Sequence, residues 1–441
     1  MCDPITFQRR RTLFLEQLGG AAAVIPAAPM AVHHSDVQWP FRQNSDFWYL
    51  TGFDEPGAVA LFLPYRPKGE RFILFVHPRE PSAEVWNGLR WGVEGAVDRF
   101  GADLAHPLQD LSNLIGNYLE GAEAIAFRLG HHPAIEPLVL QVWMQQLDSA
   151  PRTGAAAMYL TAPCSILHSL RLRKEPGELD RMREACRISA EAHERARSIV
   201  KPGITERQVQ AEIEAYFLAQ GTRGPAYSSI IAGGDNACIL HYTDNNAILQ
   251  DGDLLLIDAG CSLSDYYNSD ITRTFPVNNC FSGEQRALYE LVLASQEAAI
   301  LAVRPGVSTE FIHNTAVTVL VSGLIELGLL RGDPESVIEQ GAYRHLYMHR
   351  TGHWLGLDVH DVGAYRLGKH PTKLESGMVL TVEPGIYISD RLPIPQGQPS
   401  IDERWKGIGI RIEDDVAVTP VGCEVLTMDA RKDLSAMERH S

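Results

Sequence analysis

Hydrophobic and polar positions along the first 170 residues predict short strands and helices separated by turns. The apolar runs "AVALFLP" and "RFILFVHP" are typical of buried strands, and "LQDLSNLIGNYLEG" is typical of a helix. The segment "LGGAAAVIPAAPMAV" follows three arginines, but Pro26 and Pro29 interrupt it. This favours a buried strand and loop over a signal peptide. We therefore predict an α/β domain here.

The pattern changes at "LRLRKEPGELDRMREACRISAEAHERARSIV", which predicts a long amphipathic helix. Leu179, Met182, Cys186 and Ile188 lie near helical spacing, and Pro176 suits a first turn. We place a domain boundary here, which gives domains 1–171 and 172–441.

The second domain contains an internal repeat. The segment "RSIVKPGITERQV" (197–209) returns as "ILAVRPGVSTEFI" (300–312), in both cases between two helical runs. In the same way "GDLLLIDAG" (252–260) returns as "GMVLTVEPG" (377–385), so Asp258 and Glu383 occupy equivalent places after buried strands. An ordinary Asp-Ala-Gly turn would explain Asp258 alone, but it explains a repeated acid poorly.

Each repeat also has a second acid on a later strand-like run, Asp270 in "SDITRTF" and Glu413 in "GIRIEDDV". If the halves pack about a pseudo-twofold axis, four carboxylates converge. Like charges at short range raise one another's pKa, so the cluster requires positive charge. Two divalent cations would supply it, with Mn²⁺ favoured by oxygen ligands and Co²⁺ or Zn²⁺ as alternatives once an imidazole joins. The candidate imidazoles are His241, His349, His353 and His360.

Composition narrows the class of protein. The 441 residues carry 55 acidic against 39 basic side chains, which argues against a nucleic-acid partner or an anionic membrane surface. The seven cysteines are odd in number and contain no Cys-x-x-Cys, which favours a reducing, cytoplasmic location over a disulfide framework or zinc knuckle. No apolar stretch approaches the ~20 residues of a membrane helix.

Six motifs in order resemble those of Xaa-Pro aminopeptidase (aminopeptidase P) in the pita-bread metallopeptidase superfamily. They are "ILHYTDN", "LIDAGC", "SDITRTFPV", "GHWLGLDVHDVG", "TVEPGIYI" and "GIRIEDD", and "FRQNSDFWYLTGF" extends the similarity into the first domain. The resemblance implies an α/β (α+β) architecture, with a creatinase-like α/β domain ahead of a catalytic pita-bread domain that contains a pseudo-twofold repeat. It also implies a site for two divalent ions formed by Asp258, Asp270, His353, Glu383 and Glu413, with Asp270 and Glu413 bridging both ions.

The reaction that this resemblance implies is hydrolysis of the bond between an N-terminal residue and a following proline. A hydroxide held between the two ions would attack the scissile carbonyl, and Glu383 would accept and return the proton. His241 and His360 would line the proline pocket, with His360 placed either to stabilise the oxyanion or to help protonate the leaving nitrogen. Arg411 and Tyr387 are expected to support the ligand carboxylates.

The resemblance also implies an assembly. The family resemblance favours a homodimer or homotetramer. In such an assembly, first-domain loops such as "EVWNGLRWG" would help to close the active-site cleft of a neighbouring subunit. Trp86 in that segment is the candidate residue.

One departure from the family pattern is the spacing of the two aspartates, which is twelve positions here against the usual eleven. An added residue in the turn would be tolerated, whereas a register slip would present Ser269 in place of Asp270. Two other functions stay open at this point, a prolidase that cleaves only dipeptides and a catalytically silent binding protein. The phosphate-loop-like "GAYRLGKH" lacks the final Ser or Thr, and no His-Glu-x-x-His or Gly-x-Ser-x-Gly motif occurs.

Overall fold

The computed structural model describes residues 4–389, 391 and 393–438. Within-chain contacts divide it into two compact units, Met1–Arg171 and Leu172–Ser441. None of the helices in the described ranges combines the length and the apolar character that a bilayer crossing requires.

The first unit is built around one mixed sheet. Its strands are β1 (Ala21–Pro26), β2 (Val32–His34), β3 (Val37–Gln38), β4 (Val59–Phe62), β5 (Phe72–Val76), β6 (Leu104–Pro107), β7 (Ala124–Ala126) and β8 (Tyr159–Thr161). Its helices are α1 (Pro4–Leu18), α2 (Ser45–Thr51), α3 (Pro81–Asn87), α4 (Gly92–Asp98), α5 (Leu111–Leu119) and α6 (Glu136–Thr153), and α7 (Cys164–Leu172) ends at the division between the units. Six strands pair in the order β6-β5-β4-β1-β7-β8, while β2 and β3 form a separate hairpin.

The apolar runs of the first unit are buried as their pattern predicts. Every residue of β4 and β5 is buried, and five of the six residues of β1 are buried, which confirms a strand in the Ala-rich segment. The predicted α/β class is correct. The segment "EVWNGLRWG", however, was expected to be a loop and instead contributes to helix α3. Pro81 starts this helix and Gly88, with φ of 85°, ends it.

The second unit contains the long helix that the sequence predicts. Its helices are α8 (Pro176–Ile199), α9 (Glu206–Ala219), α10 (Gly283–Ala302), α11 (Thr309–Glu326), α12 (Pro334–Glu339) and α13 (Leu434–Met437). Its strands are β9 (Ile230–Gly233), β10 (Leu254–Asp258), β11 (Thr272–Pro276), β12 (Arg366–Leu367), β13 (His370–Pro371), β14 (Val379–Val382), β15 (Gly385–Ile388), β16 (Ile408–Arg411), β17 (Asp414–Val418) and β18 (Cys423–Val425). They form antiparallel groups ordered β11-β10-β9, β14-β17-β18, β15-β16 and β12-β13. The phosphate-loop-like residues lie in the β12–β13 hairpin, and the next element is strand β14.

The internal repeat is visible as the same order of elements in two halves. Helices α8 and α9 precede β10, and helices α10 and α11 precede β14. Thr205 caps α9 and Ser308 caps α11, each by accepting a hydrogen bond from the backbone three residues on. Gly252 and Gly377 precede the two equivalent strands with φ of 87° and 90°, a conformation that favours glycine.

The two halves meet beside their acid-bearing strands. An isolated bridge pairs Thr272 with Glu413, and the Glu413 amide donates to the Thr272 carbonyl at 3.1 Å. This contact brings the beginnings of β11 and β17 together. The start of β11 in the first half and the start of β17 in the second half therefore lie next to each other.

Candidate metal centre

The four acids predicted from the repeat line one cleft of about 470 Å³ in the second unit. Asp258 is the last residue of β10, and the other three flank strands rather than lying within them. Asp270 lies two residues before β11, Glu383 directly follows β14 and Glu413 directly precedes β17. Within a strand, successive side chains alternate between the two faces of the sheet. Residues at or beyond a strand end do not have to follow this alternation, so these four acids can point towards a single centre.

The two aspartates of the first half are held by shared partners. The Tyr227 hydroxyl donates to Asp258 Oδ1 at 2.6 Å and also contacts Asp270 Oδ1. Because a hydroxyl carries one proton, the two carboxylates compete for it. The Arg411 guanidinium pairs with Asp258 Oδ2.

The extra residue between the aspartates is accommodated in the excursion that joins β10 to β11. This excursion turns at Tyr266, whose φ is 69°, and a bridge between Ser262 and Asn268 closes it. The Ser269 hydroxyl lies 2.6 Å from that of Ser189, whereas Asp270 reaches the cleft. The insertion thus changes the turn without moving Ser269 into the position of the acid.

Threonine hydroxyls hold the two glutamates. Thr272 Oγ1 donates to Glu413 Oε2 at 2.6 Å, and Thr381 Oγ1 lies 3.2 Å from Glu383 Oε1. Thr381 also accepts a hydrogen bond from the backbone N–H of His353 at 3.1 Å, which links this histidine to the end of β14.

His353 is brought to the acids by an unusually close backbone approach. A Cβ atom on Gly352 would lie 2.0 Å from the Thr381 carbonyl oxygen, so only glycine fits before His353. His353 Nδ1 lies 3.0 Å from the Trp354 carbonyl, and this contact requires the proton on Nδ1. Nε2 then faces Asp270 Oδ2 at 3.4 Å and Glu383 Oε1 at 3.7 Å.

The donor set fits divalent cations. Ligand atoms of Asp270, His353 and Glu413 lie within 4.8 Å of one another. Asp258 shares the Tyr227 hydroxyl with Asp270, and Glu383 Oε1 lies 3.7 Å from His353 Nε2. Carboxylate oxygens with one imidazole nitrogen are suitable for Mn²⁺, Co²⁺ or Zn²⁺.

The electrostatics of the cluster lead to the same conclusion. Burial raises the pKa of Asp258, and Asp270 raises it further although Arg411 opposes this. Burial and the neighbouring acids raise the pKa of Glu413 well above its usual value, and burial raises that of Glu383 to about 7. The pKa of His353 rises to about 9 because Asp270 and Glu383 outweigh the effect of burial. The ionised acids therefore need more positive charge than Arg411 and His353 supply.

Three further histidines line the cleft, namely His241, His349 and His360. The His360 ring lies 4.3 Å from that of His353, nearly perpendicular to it. The Nδ1 atom of His349 lies 3.7 Å from Glu383 Oε2. Burial, followed by the charge of Arg411, lowers the pKa of His349 to about 3, so this imidazole is neutral near pH 7.

Arg411 and Tyr387 form a chain of hydrogen bonds beside the acids. Arg411 Nη1 donates to the Tyr387 hydroxyl at 3.0 Å, and that hydroxyl lies 2.8 Å from His349 Nε2. The ligand candidate that Arg411 contacts is Asp258 in the other half, rather than Glu413, which lies two residues beyond the end of β16. Trp86, in α3 of the first unit, is 86% exposed.

Sequence reasoning missed Tyr227 and Glu206. Glu206 accepts hydrogen bonds from Gly233, Asn236, Tyr242 and Ala247 at 2.8–3.1 Å, and it thereby fixes both ends of the loop that carries His241. In the sequence Glu206 resembles an ordinary acid in a first helical turn. Tyr227 lies in "GPAYSSI", which carries no periodic signal.

Comparison with known proteins identifies the family. The sequence model described as "Metallopeptidase family M24" matches residues 180–420, and "Aminopeptidase P, N-terminal domain" matches residues 7–126. The chain belongs to metallopeptidase family M24. Within it, the chain is 41% identical to Xaa-Pro aminopeptidase of Escherichia coli K12, over 97% of this chain and 95% of that protein. The Pseudomonas aeruginosa aminopeptidase PepP structure superposes with a TM-score of 0.94 and 44% identity, over 99% of this chain and 97% of that one.

These matches confirm the resemblance to the aminopeptidase P branch of family M24 and its two-part architecture. The chain is thus an Xaa-Pro aminopeptidase by family, a metallopeptidase and hydrolase. A zinc-substituted E. coli aminopeptidase P in complex with product also superposes, with a TM-score of 0.93 and 40% identity, over 99% of this chain and 98% of that one.

Proposed function

We propose that this M24 peptidase hydrolyses the bond between an N-terminal residue and a following proline, using two divalent cations held by Asp258, Asp270, His353, Glu383 and Glu413. The convergence of these five side chains on one cleft is the observation that supports the proposal most directly. Asp270 and Glu413 would hold the ions where the two halves meet, because Glu413 pairs with Thr272 across the halves and Asp270 lies two residues before Thr272.

Mn²⁺ is the metal that we expect, because four of the five donors are carboxylates. When bound, the cations lower the pKa of a water molecule and polarise the scissile carbonyl. Co²⁺ or Zn²⁺ would also suit a set that includes His353.

Glu383 is the proposed proton carrier. A carboxylate oxygen of Glu383 would accept the proton of the attacking water and then deliver it to the proline nitrogen as the peptide bond breaks. The side chain is positioned for this by Thr381 on one oxygen and by His349, 3.7 Å from the other. The free amine of the substrate would be attracted to the acidic cluster, which would restrict cleavage to chain ends.

Selection of proline must depend on shape, because a proline nitrogen carries no N–H to recognise. Ile230, Leu240 and Val359 give the cleft an apolar wall beside His241 and His360. We infer that these two histidines contact the proline ring and the adjoining carbonyls, and that His360 stabilises negative charge on the reacting carbonyl oxygen.

Peptide length separates this function from the alternatives. Purified protein loaded with Mn²⁺ should bind two ions per chain and cleave Arg-Pro-Pro. Cleavage of Arg-Pro but not Arg-Pro-Pro would indicate a prolidase. A folded protein that binds no metal and cleaves neither peptide would indicate a silent relative.

We further propose a homodimer or homotetramer in a reducing, cytoplasmic setting. The support is the family resemblance, together with the exposed Trp86. Light scattering would give the oligomeric state. Trp86→Ala should raise the KM for peptides if this residue closes a neighbour's cleft, and it should leave KM unchanged if it does not.

A further inference from the structure

A second cavity adjoins the active cleft. It measures about 430 Å³ and shares Arg350, Gly352 and His353 with the lining of the cleft. Its other walls come from the N-terminal part of α11, which includes His313, from Tyr365 and the β12–β13 hairpin that follows it, and from strand β14. The two cavities therefore share one wall at the segment that carries His353, and Arg350 faces both.

Arg350 differs from the other arginines of these walls in its partners. Arg411 pairs with Asp258, and Arg366 pairs with Glu310 at 3.4 Å. The guanidinium of Arg350 has neither a hydrogen bond nor a carboxylate partner within residues 4–389, 391 and 393–438, although the chain has a net charge of −16. The positive charge of Arg350 acts on the second cavity. The pKa of His313, which lines this cavity, is lowered first by burial and next by the charge of Arg350.

A guanidinium with no internal partner at the edge of a peptide-binding cleft is suited to a carboxylate of the substrate. The position of that carboxylate follows from the proposed function, on which this inference rests. The N-terminal residue would lie at the acidic cluster and the proline at His241 and His360, so the next residue is the first that can reach the shared wall. The second cavity provides space for it.

We propose that Arg350 determines specificity by binding a carboxylate on the third residue of the substrate. The carboxylate is either the C-terminus of a tripeptide or an acidic side chain at that position. Arg350 is exposed, so solvent limits the effect, and a preference of about tenfold in kcat/KM is expected. The preference should arise mainly in KM, because the contact is remote from the reacting bond.

The test compares matched peptides that differ by one charge. Ala-Pro-Ala and Ala-Pro-Ala-amide probe the C-terminal carboxylate, and Ala-Pro-Asp-amide and Ala-Pro-Asn-amide probe the side chain. The metal-loaded protein should prefer the charged member of at least one pair, and the pair that responds identifies the source of the carboxylate. Arg350→Gln should abolish this preference, and Arg350→Lys should restore part of it. Arg404→Gln is the control, because Arg404 pairs with Glu284 away from both cavities and its loss should leave the preference unchanged.

Three results would overturn the proposal: no preference in either pair, a preference that survives Arg350→Gln, or an equal loss on charged and neutral peptides. Calorimetric binding of the products Pro-Ala, Pro-Asp-amide and their uncharged counterparts repeats both comparisons without turnover. A protein that cleaves no Xaa-Pro peptide would contradict the proposed function, while Arg350-dependent binding of the charged products would still support carboxylate recognition.

Discussion

The two halves of the pita-bread unit are built from the same elements but serve different purposes. In the first half, Glu206 accepts four hydrogen bonds and closes the loop that carries His241. In the second half the aligned residue is Thr309, and a cavity of about 430 Å³ lies beside it. The first half thus fixes its loop through a buried carboxylate, whereas the second leaves space beside its histidines.

The connections between the acids show the same difference. Asp258 and Asp270 are twelve positions apart and are joined by a compact excursion. Glu383 and Glu413 are thirty positions apart, and strands β15 and β16 lie between them. The second connection contributes Arg411, which reaches across to Asp258, and Tyr387, which contacts Arg411 and His349. The duplication accounts for the equivalent positions of the four acids in the two halves. The different lengths of the segments that join the acids account for the different side chains around them.

The largest expected effect is loss of one of the two acids that lie where the halves meet, Asp270 from the first half or Glu413 from the second. Asp270→Ala and Glu413→Ala should each reduce bound metal to at most one ion and lower kcat by roughly 10³-fold or more. Neither should unfold the protein, because removing one buried acid also relieves repulsion among the others. Elemental analysis, kcat and circular dichroism on one preparation would measure this. Ser269→Ala is the control for the register, and it should keep both ions. If Ser269→Ala lost metal and Asp270→Ala did not, the assignment of Asp270 would be wrong.

The next effect concerns a histidine outside the set of acids. His360→Ala should keep both ions and lower kcat for an Xaa-Pro-Pro peptide by roughly 10² to 10³, because the oxyanion loses its hydrogen-bond donor. His370→Ala, on the exposed β12–β13 hairpin, should leave kcat unchanged. A lower melting temperature with near-normal kcat would instead mean that His360 has a structural role.

The sequence predicted those features that repeat or that follow one period. The α/β class of the first unit, the long helix at Pro176 and the equivalent positions of Asp258 and Glu383 came from periodicity or from the internal repeat, whereas the architecture of the second unit came from the family resemblance. The added residue before Asp270 was also interpretable, because the motif after it is intact. Glu206 and Tyr227 were missed since their partners lie far along the chain, and no local pattern marks such a contact. Helix α3 was missed because its exposed residues carry no amphipathic signal.

Buried histidines of both halves should make stability depend on pH in the metal-free protein. Burial lowers the pKa of His193 and of His313 to about 4 from a usual 6.5. The unfolded chain binds these protons first, so the stabilisation is complete above pH 6.5 and is lost as the pH falls towards 4. The free energy of unfolding of the wild type minus that of His193→Gln should fall by up to about 3 kcal/mol between pH 7 and pH 4. Urea titrations at several pH values would measure it, and a difference independent of pH would show that His193 has the same pKa in the folded and unfolded states.

A smaller effect tests the closed loop of the first half. Glu206→Gln places an amide N–H₂ where a carboxylate oxygen accepted two donors, so at least one buried donor loses its partner. We expect a loss of about 2 kcal/mol in the free energy of unfolding and a higher KM for Xaa-Pro peptides, because His241 lies in the loop. The same chemical change in the second half, at Glu310 next to the aligned Thr309, removes an exposed ion pair with Arg366 and should cost under about 1 kcal/mol. Equal costs for the two variants would contradict the contrast between the halves.

The smallest effect concerns hydroxyls that hold ligands indirectly. Tyr227 contacts both aspartates of the first half, whereas Tyr347 in the second half bonds to Thr351, at 2.7 Å, and not to an acid. Tyr227→Phe keeps the ring but removes the hydroxyl that both carboxylates share, which leaves them less firmly oriented, so metal affinity should fall about tenfold. Tyr347→Phe should change metal affinity by much less, because its partner is not among the candidate ligands. Competition with a chelating dye would measure both affinities in Mn²⁺. An equal loss of affinity in the two variants would indicate an effect of packing around the cleft. The hydrogen bonds from Tyr227 to the aspartates would then not contribute specifically to metal affinity.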